Sequence, residues 1–128
     1  MPAFLSPEWL DELARLGSEH APLPGITATV QVVVSGGPEK DVKFVVVLDD
    51  GKIDAAERRV DAAAELTLTF DYANAVAVQE GELDPSVAFM QGRMKTAGDT
   101  GLLLQLLPLT RTPAFRTFRE KLAAVTEL

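Results

Sequence analysis

The sequence contains no cysteine, which excludes disulfide bonds, thiolate zinc sites and cysteine nucleophiles. It contains one histidine, His20, in the segment SEHAPLPG, where no nucleophile and base stand together. We expect this histidine to be exposed in a loop, because a general base needs a positioned partner. No apolar run approaches the ~18 residues that a membrane-spanning helix requires, so stable membrane insertion is not expected.

Positive charge is also scarce, since 12 basic residues stand against 19 acidic ones and the net charge is −7. This balance argues against a nucleic-acid partner, which needs a dense basic surface, and against tight docking on anionic lipid surfaces. The N-terminal stretch MPAFLSPEWLDEL lacks the basic-then-apolar order of a secretory signal. Apolar residues still make up 47% of the chain, so the surplus must lie in a core, on a partner or around a ligand.

The hydrophobic pattern predicts a single domain, residues 1–128, in which strands follow an N-terminal helix and further helices surround a last strand. This order of elements predicts an α+β fold, with a five-stranded, mostly antiparallel sheet and helices packed on one of its faces. The predicted strands begin at Ile26, Val42, Lys52, Leu66 and Arg93.

Several element ends are indicated by single residues. Ser6 is a typical N-cap for the first helix, and Gly17 is a natural end for it. The DDG sequence at 49–51 predicts a hairpin turn. We expect the leucine-rich helix that starts at 100 to end before Pro108, because proline cannot supply a helical N–H.

Three groups of residues resemble chemical sites, but each has a simpler structural explanation. Asp49 and Asp50 form a carboxylate pair, although acids in such a turn usually bond to local backbone. The acids between 80 and 84 miss the spacing of a calcium loop, and positions at helix ends explain them better. Arg93 and Lys95 share one face of a short strand, where a solvated face is favoured over a site for an acidic head group. We therefore expect no catalytic residue, metal site or cofactor.

The segment 102–109 differs from an ordinary surface helix, because its leucines point in almost every helical direction. One explanation is a central core helix. The other is a helix with one side on the sheet and its second side lining a cavity for an apolar ligand. The composition fits both explanations about equally.

The segment GELDPSVAFMQGRMKTAGDTGLLLQL, at 81–106, resembles the signature of the sterol carrier protein type-2 domain family. In that family a P-x-x-A-F helix, a QG pair, a basic–apolar–basic strand and a capped apolar helix follow one another. The preceding AELTLTFDYANAVAVQEG, at 64–81, is similar to the family's fourth strand and the helix after it.

The resemblance implies a hydrophobic tunnel between the sheet and the helices that binds fatty acids, fatty acyl-CoA or sterols without catalysis. It also implies a stand-alone member, because no part of the chain is left for a catalytic domain. The chain ends in TEL, which is not the family's peroxisomal tripeptide, and this favours a cytoplasmic location. Residues 108–128 are not demanded by the motif and either close the tunnel mouth or join a partner.

The resemblance and the apolar periodicity together give a set of expected lipid contacts. Met90 and Met94 suit ligands of differing shape, because thioether chains are flexible. Gln105 is the candidate for a polar head-group contact. The full set is Phe44, Val46, Leu68, Phe70, Tyr72, Val76, Phe89, Met90, Met94, Leu103, Gln105, Leu106 and Leu107.

Two other functions compete with lipid binding. The first is an interaction module or accessory subunit, in which Phe115, Phe118 and Leu122 dock on a second copy or on a partner enzyme. The second is a small enzyme that uses Asp49, Asp50 or His20 on an apolar substrate. The absence of a paired nucleophile and base argues against the enzyme.

Overall fold

The fold, taken from a computed structural model that describes residues 1–128, centres on one mixed five-stranded sheet. The strands lie in the order β3-β2-β1-β4-β5, with β1 and β4 parallel and the other three neighbouring pairs antiparallel. The prediction of a five-stranded, mostly antiparallel α+β fold is confirmed. The strand bounds are β1 (Ala28–Gly37), β2 (Lys40–Asp49), β3 (Lys52–Glu57), β4 (Leu66–Asp71) and β5 (Met94–Gly98).

The turn between β2 and β3 has the geometry that its sequence predicts. Asp50 and Gly51 both have positive φ angles, +50° and +86°. Positive φ at both central residues is the requirement of a type I′ turn, whose twist matches that of the flanking strands. The hairpin is confirmed, and its acids are exposed on the turn.

The first helix, α1 (Pro7–His20), begins where its cap predicts but ends later. The hydroxyl of Ser6 accepts the N–H of Trp9 at 3.1 Å. The expected end at Gly17 is wrong, because this glycine lies inside the helix and is buried. A Cβ at position 17 would lie 2.6 Å from the Cβ of Ile53, so glycine is needed there for the close approach of α1 to β3.

Four further helices follow, and each has an N-cap side chain that accepts a backbone N–H. The expected end of the leucine-rich helix before Pro108 is wrong, because the helix includes the proline and ends at Leu109. Pro108 lies in the last turn of the helix, where the single hydrogen bond that it cannot donate is the one to the carbonyl oxygen of Leu104. No helix of the chain is both long and apolar enough to cross a membrane. The bounds are α2 (Tyr72–Gln79), α3 (Pro85–Met90), α4 (Thr100–Leu109) and α5 (Pro113–Ala124).

The helices lie over one face of the sheet, and the alternation of each strand determines which side chains face them. Val30, Phe44, Leu66 and Met94 belong to this face and are buried. The buried apolar residues of strands and helices form one cluster of 23. The layer between sheet and helices is therefore the core of the molecule.

The opposite face is covered in part by the chain itself, where the segment 58–65 passes Gln31. This segment connects β3 at one edge to β4 on the far side of β1, so it must cross the sheet. Gln31 holds it in place: its amide nitrogen donates to the carbonyl oxygen of Arg59 at 3.1 Å, and its amide oxygen accepts the N–H of Asp61 at 2.8 Å. Val45, the register partner of Gln31, is fully buried as a result.

Candidate functional site

Apolar side chains between the sheet and the helices form a pocket of about 240 Å³. Its floor is made of register partners: Val32 on β1 lies between Phe44 on β2 and Leu68 on β4. Helix α4 contributes Leu103 and Leu106, which share one helical face because they are three residues apart. The strand alternation and the helical period thus direct apolar groups from three strands and one helix into the same space.

The lining of this pocket is apolar and contains no reactive side chain. None of its 21 residues carries an ionisable side chain. The hydroxyl of Thr110 donates to the carbonyl oxygen of Leu107 at 2.7 Å, and the indole N–H of Trp9 donates to Thr126 at 3.0 Å. A polar group entering the pocket would lose its hydrogen bonds to water without replacement, so the pocket favours apolar groups.

Most of the residues expected to contact lipid line this pocket. They come from the sheet face under the helices and from the inner face of α4. Met94, on the edge strand β5, is the one flexible thioether among them and is buried. The eight are Phe44, Val46, Leu68, Phe70, Met94, Leu103, Leu106 and Leu107.

The remaining five expected residues lie outside the pocket. Met90, at the end of α3, is 80% exposed, and Gln105 faces solvent on the outer side of α4. Tyr72 contributes to a separate pocket near the termini, where its ring lies 6.0 Å from that of Phe4. Val76 was expected to contact lipid, but helix α2 turns Ala75 and Gln79 to the core instead. Val76 and Phe89, which is on α3, are half-buried and do not line the pocket.

Several pocket residues were not identified from the sequence. Trp9 and Leu13, which are buried residues of α1, line the pocket. Phe115 and Phe118 on α5 line it as well. Sequence distance is the reason, because no local pattern places the first and the last helix over the same part of a sheet. The apolar stripe of each helix was the available signal.

Docking on a partner was one of two alternatives for the C-terminal stripe, the other being closure of the tunnel mouth, and the structure does not support the partner. Phe118 and Leu122 are 5% and 3% exposed and belong to the chain's own core, where α5 packs against α1. Phe115 is half-buried and lines the apolar pocket. These three side chains are therefore used inside the fold, and they present no apolar surface for a second copy or a partner enzyme.

A distinct cluster of charges lies on the opposite side of the sheet, on the crossover segment. The backbone N–H of Ala63 and then the side chain of Arg59 lower the pKa of Asp61. Arg59 also pairs with Glu57 at 2.7 Å, and this hydrogen bond is the largest cause of its raised pKa. These groups stabilise the crossover and do not reach the pocket. No group of three or more His, Asp or Glu side chains lies close enough to hold a metal ion.

A sequence profile described as the SCP-2 sterol transfer family matches residues 10–111. The chain belongs to this family. Sterol carrier protein 2 of Rattus norvegicus is 33% identical over 81 residues, which make up 62% of this chain and 15% of the rat protein. The chain thus corresponds to a small part of such relatives. The profile includes the sheet and α4 but ends before α5, so the SCP-2 match does not account for the C-terminal helix.

Two solved structures share the SCP-2 fold. A crystal structure of sterol carrier protein 2 has a TM-score of 0.74 and 21% identity, covering 91% of this chain and 98% of that one. The solution structure of palmitated SCP2L2 from Aedes aegypti has a TM-score of 0.62 and 16% identity, covering 80% and 95%. At these identities the similarity establishes the fold of the chain and leaves its ligand to be argued from the pocket.

Proposed function

We propose that the apolar pocket binds the tail of a lipid without covalent chemistry, and that the protein carries or presents this lipid. The observation that supports the proposal is the pocket of about 240 Å³ between sheet and helices, whose lining has no ionisable side chain. The ligand classes that we propose are fatty acids, fatty acyl-CoA and sterols. Membership of the SCP-2 sterol transfer family supports lipid binding in general.

Burial of apolar surface supplies the binding energy in this proposal. A tail that loses about 400 Å² of apolar area gains on the order of 10 kcal/mol, before the cost of ordering is subtracted. The net binding free energy reaches the micromolar range, about −8 kcal/mol, only if the protein rearranges little when the lipid binds. Met94 suits this requirement, because its flexible side chain can adopt a new conformation beside a ligand.

The pocket must widen when it takes a long tail. Its volume of about 240 Å³ is below the range of roughly 300–1,000 Å³ that is usual for small-molecule sites. Part of the wall belongs to Phe115, a half-buried residue of α5, and part to Leu107, a half-buried residue of α4. Movement of these two side chains would enlarge the pocket without opening the sheet.

We also propose that the protein is not an enzyme by itself. The residues considered for catalysis lie apart from the pocket: Asp49 and Asp50 are exposed at the hairpin turn, and His20, expected in an exposed loop, is instead the half-buried last residue of α1. None of their side chains makes a hydrogen bond, and the one contact with a hydroxyl is made by the backbone N–H of Asp50, which donates to Oγ1 of Thr27 at 3.0 Å. Binding is therefore the activity that the arrangement supports best.

Displacement of a fluorescent fatty acid tests the proposal. We expect the folded protein to take up the probe and palmitate or hexadecanol to displace it, with dissociation constants in the micromolar range, about −8 kcal/mol. Native mass spectrometry of the purified protein then identifies any lipid that it retains. If the protein is folded by circular dichroism and no apolar ligand displaces or replaces the probe, the proposed function is wrong.

A further inference from the structure

A second pocket, of about 350 Å³, adjoins the apolar one and differs from it in charge. Pro85, Thr110 and Phe115 line both pockets, so these residues form a common wall. The second pocket lies between the loop that joins α2 to α3 and the corner that joins α4 to α5. A molecule that passes Phe115 from the apolar pocket therefore enters the second one.

Three of the seven arginines of the chain line this second pocket. Arg111 belongs to the corner between α4 and α5, and Arg116 and Arg119 are three residues apart on α5, so that they share a helical face. Residues 108–128 carry four basic and two acidic side chains in a protein with a net charge of −7. The C-terminal segment thus concentrates positive charge at one place on an acidic molecule.

The carboxylates around the pocket neutralise this charge only in part. Asp84 lines the pocket, and one of its oxygens lies 3.5 Å from Nε of Arg111. Its other oxygen accepts the N–H of Ser86 at 2.8 Å and thereby caps α3. Arg119 has a single weak partner, Glu120 at 3.8 Å. Arg116 has no carboxylate within 4.0 Å, so its guanidinium remains available.

The loop between α2 and α3 holds one of these arginines in position. Arg119 is 22% exposed, and its Nη1 donates to the carbonyl oxygen of Gln79 at 3.4 Å. Gly81 has a φ of +78° and leaves room for the same group, since a Cβ there would lie 2.6 Å from Cζ of Arg119. A guanidinium fixed in this way presents its remaining N–H groups to the pocket in a planar fork, the geometry that carboxylates and phosphates match.

We propose that the pocket of Arg111, Arg116 and Arg119 binds the anionic group, carboxylate or phosphate, of a ligand whose apolar tail occupies the adjoining pocket. This inference rests on the proposed function and adds a selectivity to it: amphipathic anions bind more tightly than neutral lipids with the same tail. Gln105, the residue expected from the sequence to contact a head group, lies on the outer side of α4 and has no part in it.

The test compares one tail with different heads. Palmitate and hexadecanol share their apolar length but differ in charge, and hexadecyl phosphate adds the second type of anion. In the double variant Arg116→Gln/Arg119→Gln we expect at least a tenfold weaker affinity for palmitate and for hexadecyl phosphate, and a change of less than threefold for hexadecanol. The control, Arg93→Gln/Lys95→Gln, removes the same charge from two exposed positions, one just before β5 and one on it, and should change no affinity by more than threefold.

The outcomes separate this inference from the proposed function. If the double variant keeps full affinity for both anions, or loses equal affinity for the alcohol, the arginine pocket is not the head-group site, although lipid binding stands. If wild-type protein binds neither palmitate nor hexadecanol, lipid binding itself is wrong. Inorganic phosphate should displace the probe only at millimolar concentration, and displacement at micromolar concentration would mean a site for free anions and overturn the proposal.

Discussion

The indole N–H of Trp9 donates to the hydroxyl of Thr126 at 3.0 Å, across 117 positions of the sequence. The same hydroxyl accepts the amide N–H of Gln79 at 3.0 Å and donates its own proton to the carbonyl oxygen of Leu122 at 2.6 Å. A hydroxyl has one proton and two lone pairs, so every hydrogen-bonding capacity of Thr126 is used. This buried hydroxyl connects α1 and α2 to the C-terminal segment, which follows α5, one of the helices that line the apolar pocket.

Thr126→Val should destabilise the fold by about 2–6 kcal/mol. Valine has almost the same shape but cannot accept a hydrogen bond, so two buried N–H donors, of Trp9 and Gln79, lose their partner at roughly 1–3 kcal/mol each. Urea denaturation monitored by tryptophan fluorescence gives the free energy of unfolding. Thr117→Val, at an exposed position of α5, is the matched control and should cost less than 1 kcal/mol. Equal effects of the two substitutions would show that the network contributes nothing specific.

Gly17→Ala should also destabilise the protein, although alanine favours helices by up to about 1 kcal/mol over glycine. The added methyl group would lie 2.6 Å from the Cβ of Ile53, a branched atom that has little freedom to move away. Overpacking of this kind costs roughly 1–3 kcal/mol, so the net effect is a lower melting temperature. Ser18→Ala, at the next position of α1, is exposed and should raise the melting temperature slightly. A stabilised Gly17→Ala variant would show that α1 and β3 are not closely packed.

The contact between Gly17 and Ile53 also shows which features of the fold a local sequence pattern cannot predict. The strands, the hairpin turn and the N-cap of α1 follow from local patterns, and the structure confirms them. The end of α1 was misplaced because glycine has two uses, as a helix terminator and as a residue that permits close packing. Only the position of Ile53 on a distant strand decides between them.

Gln31 illustrates the same limit within a strand. The alternation of β1 correctly places it on the face away from the helices, where a polar residue is expected to meet water. It is nevertheless 4% exposed, because the segment 58–65 crosses that face and bonds to its side chain. Strand order, which no local pattern contains, determines this burial.

The candidate site was predictable to the extent that it follows periodicity. The faces of β2, β4, β5 and α4 were assigned correctly, so eight of the expected contact residues line the pocket. Residues on α2 and α3 were expected there on the same grounds, but the rotation of these helices about their axes decides which side chains face the core. Their role as lipid contacts stays a prediction, and Met90, at 80% exposure, is the one that the structure supports least.

Asp61→Asn should change how stability depends on pH. Bonding to the N–H of Ala63 and to Arg59 lowers the pKa of Asp61 in the folded state. A lowered folded pKa means that the carboxylate stabilises the fold above the unfolded pKa, about 3.9, and that this stabilisation is lost as the pH falls through the folded value. Melting temperatures should therefore be lower for the variant than for wild type at pH 7, and the gap should narrow toward pH 3. Asp54→Asn is the exposed control on β3, and a gap that is constant with pH would contradict the assignment.

Leu106→Trp distinguishes a ligand pocket from ordinary core packing at one position of α4. Leu106 is 6% exposed and lines the apolar pocket, so the larger indole would occupy the space that we assign to the lipid tail. We expect affinity for palmitate to fall more than tenfold while the free energy of unfolding changes by less than about 1 kcal/mol, because the pocket absorbs the added volume. If the side chain were closely packed instead, overpacking would cost about 1–3 kcal/mol.

The control lies two residues earlier on the same helix. Leu104 is 61% exposed, so Leu104→Trp adds the same volume to α4 on its solvent side and should leave both affinity and stability within experimental error of wild type. A loss of stability in Leu106→Trp, together with unchanged palmitate affinity of the folded fraction, would contradict the placement of the tail against α4. Such a result would direct the search to the part of the pocket between α1 and α5, where Leu13 and Phe118 supply the wall.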